Sequence, residues 1–310
     1  MPKLTLLDIA KMNGSDSAVG LIEESLHASP EVRVGDARSI AGTTYKTLIR
    51  KSVPNGGFRN ANEGKEPCRS EYDDKIVQTF IADCSGELDA AVGEAHEDGV
   101  AALLAQEQQG NLEGQIRALG SQFYYGTAAN FATSTADGAS KGYAGLVQAV
   151  DAANVVNATG TTSGNATSVW MVKFGARHLQ WVIGQGGSID ERDPYLTRLT
   201  DAAGKPFDGY RAPLLFWIGL QVVNKNSFVQ LKNVTEESGK GVDDDKLSEM
   251  LHTFAAGIVP DAIFMTRRSR GQLQRSRAAL NTVGMREVPV DYEGIPIIVT
   301  DNIKNTEAVV

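Results

Sequence analysis

Two β-rich runs that nothing nearby can cover set the tightest limit on how this chain folds. Residues 43–53 read Thr-Thr-Tyr-Lys-Thr-Leu-Ile-Arg-Lys-Ser-Val and stop at Pro54-Asn55-Gly56-Gly57, a strong turn signal. A second run, Lys-Ile-Val-Gln-Thr-Phe-Ile, occupies 75–81. Between them Phe58, Arg59, Asn60, Asn62, Lys65 and Pro67 form a polar segment without periodicity. The simplest geometry is a long two-stranded hairpin with a broad tip. An isolated hairpin is marginal in water because neither face is covered, so this one requires a partner surface.

Charge sharpens the requirement. From 41 to 70 there are six bases (Lys46, Arg50, Lys51, Arg59, Lys65, Arg69) and two acids, Glu63 and Glu66. From 71 to 100 there are nine acids, Glu71, Asp73, Asp74, Asp83, Glu87, Asp89, Glu94, Glu97 and Asp98, against Lys75. A basic projection followed by an acidic helix start is self-complementary, and copies of such a molecule attract head to tail. The other reading, solvated faces with a chance imbalance, stays open because exposed charges say little about pairing.

The first forty residues form an arm. Thr5 can cap a short helix carrying Leu6, Leu7, Ile9 and Ala10 that ends at Asn13-Gly14. Asp16 or Ser17 can cap a second, carrying Val19, Ile22 and Leu26, that stops at Ser29-Pro30. Neither can bury its apolar stripe alone. Residues 87–123 read as one long helix, with Leu88, Val92, Val100, Leu103, Leu104, Leu112, Ile116, Leu119 and Phe123 at three- and four-residue steps. Gly99, Gly110 and Gly114 inside it suggest bending or close packing. A small-residue stretch over 127–142 then crosses the surface.

Beyond 150 strands dominate. One is expected at 168–175, a strand pair at 214–223 and 227–234, and further strands at 262–265 and 295–300. Helices are expected at 246–256 and, rich in arginine, at 269–280. Strict βαβ alternation is missing, which favours an α+β fold over a doubly wound sheet.

Enzyme templates fail. The sequence has no phosphate-cradling Gly-x-x-x-x-Gly-Lys, no Gly-x-Ser-x-Gly elbow, no His-Glu-x-x-His and no Cys-x-x-Cys. His27, His96, His178 and His252 stand at no metal-ligand spacing, Cys68 and Cys84 read as free thiols on or near the hairpin with a bond between them the alternative that a reducing compartment disfavours, and Gly184-Gln185-Gly186-Gly187 is a turn. Arg267, Arg268, Arg270, Arg275 and Arg277 lack the interleaved aromatics of a nucleic-acid surface and are expected to pair with Asp243, Asp244 and Asp245 of an adjacent copy. No cofactor or metal is expected. The formal charge of −8 keeps the 310-residue chain soluble and argues against a duplex-binding protein. The apolar N-terminal run is broken at once by Asp8, so no signal peptide or membrane span is expected, and synthesis is placed in a reducing cytoplasm.

Arm, extended loop, spine-length helix and α+β body follow in an order that resembles the major capsid proteins of tailed bacteriophages, the Hong Kong 97-like fold. Several stretches are similar to the epsilon-fifteen type of short-tailed phage shell: 119–126 (LGSQFYYG), 142–146 (GYAGL), 154–175, 217–223 (WIGLQVV) with 229–234 (VQLKNV), 262–268 (AIFMTRR) and 292–303. The resemblance implies self-assembly into hexamers and pentamers that close an icosahedral shell around double-stranded DNA, with no catalysis. It divides the chain into an N-terminal arm (1–41), an E-loop (42–82), a peripheral domain (83–235) with its spine helix at 87–123, and an axial domain (236–310).

In that picture Arg50, Lys51, Arg59, Lys65, Arg69, Asp73, Asp74, Asp83 and Glu87 line subunit interfaces. Packaged DNA meets the lumen without sequence preference. No long scaffold-like N-terminal extension is evident, which implies a separate scaffolding protein, beside a portal and a decoration protein. Assembly is expected in the host bacterial cytoplasm and no membrane is involved. Lys46, Lys51 and Lys65 could serve covalent cross-linking, but no motif identifies a partner and none is expected. Two readings compete: an encapsulin-like cage around a protein cargo, and a cytoplasmic hydrolase using His178 or His252 with nearby acids.

Overall fold

The structure is a computed structural model that describes residues 29–127, 142–188, 190–280 and 287–310, together with Leu6, Asp8 and Met12. The arm helices expected at 5–12 and 16–28 lie outside these residues apart from Leu6, Asp8 and Met12, as does the stretch expected over 127–142 apart from its two ends. Pro30 opens a single turn, α1 (Glu31–Val34). Gly35 ends it against Trp181, where a Cβ would stand 2.6 Å from the indole nitrogen. Then come β1 (Ala37–Ser39), the hairpin strands β2 (Thr44–Ser52) and β3 (Glu71–Gln78), and β4 (Phe80–Asp83) and β5 (Gly86–Asp89).

The expected helix over 87–123 is two helices preceded by a strand, α2 (Ala90–Glu94) and α3 (Gly99–Tyr125). Glu87 and Leu88 belong to β5, and the Asp89 carboxylate caps α2 by accepting the Ala91 N–H at 2.9 Å. Gly99, at φ +83°, takes a left-handed conformation that separates α2 from α3. The apolar spacing misled because Leu88, Val92, Leu103 and Leu104 do share one buried cluster, which a strand and a short helix reach together with α3. The remaining spine keeps 27 residues, about 40 Å at 1.5 Å per residue.

After α4 (Leu146–Ala149) the chain runs through β6 (Val155–Asn157), β7 (Thr167–Val172), β8 (Leu179–Ile183), β9 (Asp190–Glu191) and a second hairpin, β10 (Tyr195–Thr200) and β11 (Pro206–Ala212). The two strands expected near 214–223 and 227–234 exist as β12 (Leu214–Val222) and β13 (Phe228–Val234), but they do not pair with each other. The Asn224 side chain caps a 3-10 turn at Lys225–Ser227 that sends them into different sheets. α5 (Asp244–Thr253) starts where Asp243 accepts the Lys246 N–H, and β14 (Ala262–Met265), α6 (Arg267–Leu280), β15 (Asp291–Tyr292) and β16 (Ile295–Val299) follow.

A six-stranded sheet, β15-β16-β14-β7-β13-β6, forms the centre. Side chains alternate across it. Trp170, Val172, Phe228 and Phe264 enter a core with Phe123 and Tyr124 of α3 and Trp181 of β8, while Val169, Met171, Val229, Leu231 and Ile263 enter a second core with Leu247 of α5 and Leu273 of α6. Burial on both faces explains the near-continuous apolar runs of β7 and β14. The other sheets are β1-β8-β12-β4, which also carries β9 on β12, β10-β11-β5, and the two-stranded β2-β3. The expected division at 235/236 falls inside one sheet, since β6, β7 and β13 lie beside β14 and β16. Sheet partners, not chain order, decide which residues pack as a unit.

Candidate assembly surface

β2 and β3, rich in branched and aromatic residues, form an antiparallel ladder from Thr44↔Gln78 to Ser52↔Glu71, with an irregularity between Arg50 and Ser52. Their root is tied to the body. Val77 is buried with Ile40 and Val182, Thr79 N–H donates to the Thr43 carbonyl at 2.8 Å, and Tyr45 donates to Gln221. Lys75 Nζ donates to the Val222 carbonyl at 2.6 Å, and burial depresses its pKa.

Beyond the root the ladder leaves the body. One face carries Thr44, Lys46, Leu48 and Arg50 opposite Gln78, Ile76, Asp74 and Tyr72, and all of these except the half-buried Gln78 are exposed. Leu48 is 68% exposed and Ile76 60%. Lys46 and Asp74 pair at 2.8 Å, Lys51 and Asp73 at 2.8 Å, and the Arg50 guanidinium lies 5.5 Å from the Tyr72 ring centroid. The mutual hydrogen bond of Lys51 and Asp73 holds the Asp73 carboxyl below and the Lys51 ammonium above its usual value.

The tip, residues 53–70, has no regular structure and is held by its own contacts, Arg59 Nη1 to the Glu63 carbonyl at 2.9 Å and Lys65 Nζ to the Gly57 carbonyl at 3.3 Å. Phe58 there is wholly exposed.

The nine expected interface residues therefore divide into groups. Lys51, Asp73 and Asp74 are ion-paired within the hairpin. Asp73 and Asp74 lie on β3, directly within reach of the bases of β2, and not at the start of a helix. Arg59, Lys65 and Arg69 have no carboxylate partner among the described residues. Arg50 rests on Tyr72, Asp83 lies on β4 and accepts the Ser85 N–H at 2.9 Å, and Glu87 lies on β5.

The arginine stretch is corrected in the same way. Arg277 of α6 grips Asp244 of the same chain through Nη2–Oδ1 at 2.7 Å and Nε–Oδ2 at 2.9 Å. Asp243 pairs with Lys246, and Arg268 donates to the Asn165 side chain and carbonyl at 2.6 and 2.9 Å. Neighbouring elements of one core bring these groups together, so a second copy is not needed to neutralise them. Arg267, Arg270, Arg275 and Asp245 keep no such partner among the described residues.

No group of metal-ligating side chains occurs among the described residues, and both cysteines are free thiols. His178 Nδ1 lies 2.9 Å from Ser227 Oγ, and burial lowers its pKa. Ser227 is fully buried, so its hydroxyl offers no approach to a substrate. His252 sits exposed at the end of α5, and His27 lies outside the described residues. The β10–β11 hairpin went unread in the sequence, although Gly204 (φ +78°) between the two runs is a turn signal that could have revealed it.

An α+β body with a long spine helix and a projecting, exposed hairpin defines the class of Hong Kong 97-like shell subunits. The chain belongs to the major capsid protein GP7 family, whose model matches residues 24–310. It is thus a shell-forming protein, and its place is the virion capsid. The fold is similar to that of the bacteriophage epsilon15 structure, with TM-score 0.69 at 20% identity over 99% of this chain and 97% of that one. The bacteriophage JBD30 capsid gives TM-score 0.49 at 11% identity, covering 96% and 99%, and the SrpI encapsulin of Synechococcus elongatus gives 0.47 at 8%, covering 76% and 97%. No curated protein matches the sequence. Among the described residues no helix is long and apolar enough to cross a membrane.

Proposed function

We propose that this major capsid protein assembles into hexamers and pentamers that close the icosahedral shell of a bacteriophage around double-stranded DNA, and that it does so without catalysis. The observation that carries the reading is the hairpin, a stiffened ladder that exposes Leu48, Ile76 and Tyr72 to water and a tip that exposes Phe58. Covering Phe58 alone contributes about 1.5–3 kcal/mol per copy. The occupant is a neighbouring copy, over which the E-loop lies. Arg59, Lys65 and Arg69 at its tip, without a carboxylate partner among the described residues, meet acids of that neighbour, and Arg50, Asp83 and Glu87 border the contact. The remaining three of the nine, Lys51, Asp73 and Asp74, stiffen the ladder.

The axial domain is built on the six-stranded sheet with α5 and α6, and the peripheral domain on α3 with the sheet of β8 and β12. Assembly takes place in the host bacterial cytoplasm with a scaffolding protein and a portal, a decoration protein binds outside, and DNA contacts the lumen without sequence preference.

The test reverses charge where no ion pair among the described residues is lost. The triple variant Arg59→Glu, Lys65→Glu, Arg69→Glu should keep the circular dichroism and melting of the wild type, because exposed substitutions change stability by less than about 0.5 kcal/mol. Its particle yield should collapse. Particles at normal yield would contradict the assigned contact.

A further inference from the structure

Glu31, the first residue of α1, is fully buried. Tyr124 Oη of α3 donates to its carboxyl at 2.8 Å, Asn302 Nδ2 at 2.9 Å, and Thr300 Oγ1 donates as well. The same Asn302 nitrogen reaches Ser29 Oγ at 3.1 Å, and Trp181 Nε1 of β8 donates to the Glu31 carbonyl at 3.2 Å. One acid thus joins the root of the arm, the end of the spine, β8 and the stretch after β16. All of these partners are neutral. Among the described residues the charged side chains on the surrounding elements stand apart. Arg33 of α1, and Asp301 and Lys304 after β16, are exposed; Arg117 lies two turns earlier on α3, and Glu307 is bonded to Tyr125. A single turn such as α1 has no stability of its own, so contacts of Glu31, and of Val32 with the core, seat α1 on the body.

We propose that Glu31 is a proton-operated latch for the N-terminal arm: with the proton on, the arm root stays seated between α3 and the C-terminal stretch, and loss of the proton loosens that seat. A buried carboxylate without a cation costs far more than the neutral acid. Burial raises the Glu31 pKa, and the bonds from Thr300, Tyr124 and Asn302 only partly oppose it. A group whose folded value is raised contributes its full stability below the unfolded value. That contribution is lost as pH climbs through the folded value.

Hydrogen exchange at residues 31–35 of the full chain, corrected for intrinsic rates, tests the latch from about pH 4 to about pH 8.5. Wild-type protection should fall with rising pH, by up to about tenfold per unit between the two pKa values. Glu31→Gln, which has no proton to lose, should stay protected throughout. Tyr124→Phe, which removes a donor to the anion, should move the midpoint upward, and Glu307→Gln should leave the dependence in place. Protection in the wild type that ignores pH overturns the proposal. So does a wild-type dependence that survives in Glu31→Gln or vanishes in Glu307→Gln, or a Tyr124→Phe protein that loses protection equally at every pH.

Discussion

Gly120 on the inner side of the spine shows how far one atom matters. A Cβ built there would stand 2.1 Å from Asn302 Nδ2 and 2.6 Å from its Cγ, so only glycine lets the C-terminal stretch lie against α3. Gly120→Ala pushes Asn302 away from Glu31 and Ser29, and overpacking of this kind costs about 1–3 kcal/mol. The melting temperature should fall by several degrees, while Gly110→Ala and Gly114→Ala, where a Cβ meets nothing within 4 Å, should hold or raise it. Thermal denaturation of the three variants checks the contrast. At this scale the sequence was least informative. Nothing local distinguishes Glu31 or Glu307 from a surface acid, because burial comes from partners 93 to 271 positions away in one case and 139 to 182 in the other.

The hairpin was legible as an element because its pattern is local. Branched and aromatic residues are dense over 43–53 and 75–81, and Pro54-Asn55-Gly56-Gly57 marks where the first run ends. The start of the spine was not, since His96-Glu97-Asp98-Gly99 interrupts a spacing that stays apolar on both sides of the break. β10 escaped for the opposite reason. Leu199 is its sole buried residue, so the strand shows no apolar alternation. Ladder and tip have separable roles. Replacing residues 54–69 by Asn-Gly keeps the register of β2 and β3 and the buried root at Val77, so the monomer should melt like the wild type. It should form no particles. Normal particles from this shortened chain, scored by electron microscopy, would remove the tip from the assembly contact.

The architecture of the whole molecule was readable as a sequence of parts, but its partnerships were not. α+β character, an arm, a loop, a spine and a body follow from patterning and resemblance, and the family assignment and the similar fold agree with them. Which strands share a sheet follows from long-range pairing. β7 lies between β14 and β13, and β12 lies against β8 and β4 instead of its sequence neighbour. Charge behaved alike: bases and acids that looked destined for another copy found each other inside one chain at Lys51–Asp73 and Arg277–Asp244, while Arg59, Lys65 and Arg69 on the hairpin tip and Arg267, Arg270 and Arg275 on α6 keep no carboxylate partner among the described residues. The most direct test of the account is the size of the purified protein, read by sedimentation over a range of concentration and salt. Capsomers or closed shells that dissociate as salt rises are the predicted result. A 33.1 kDa species that stays monomeric at the highest concentration would contradict it.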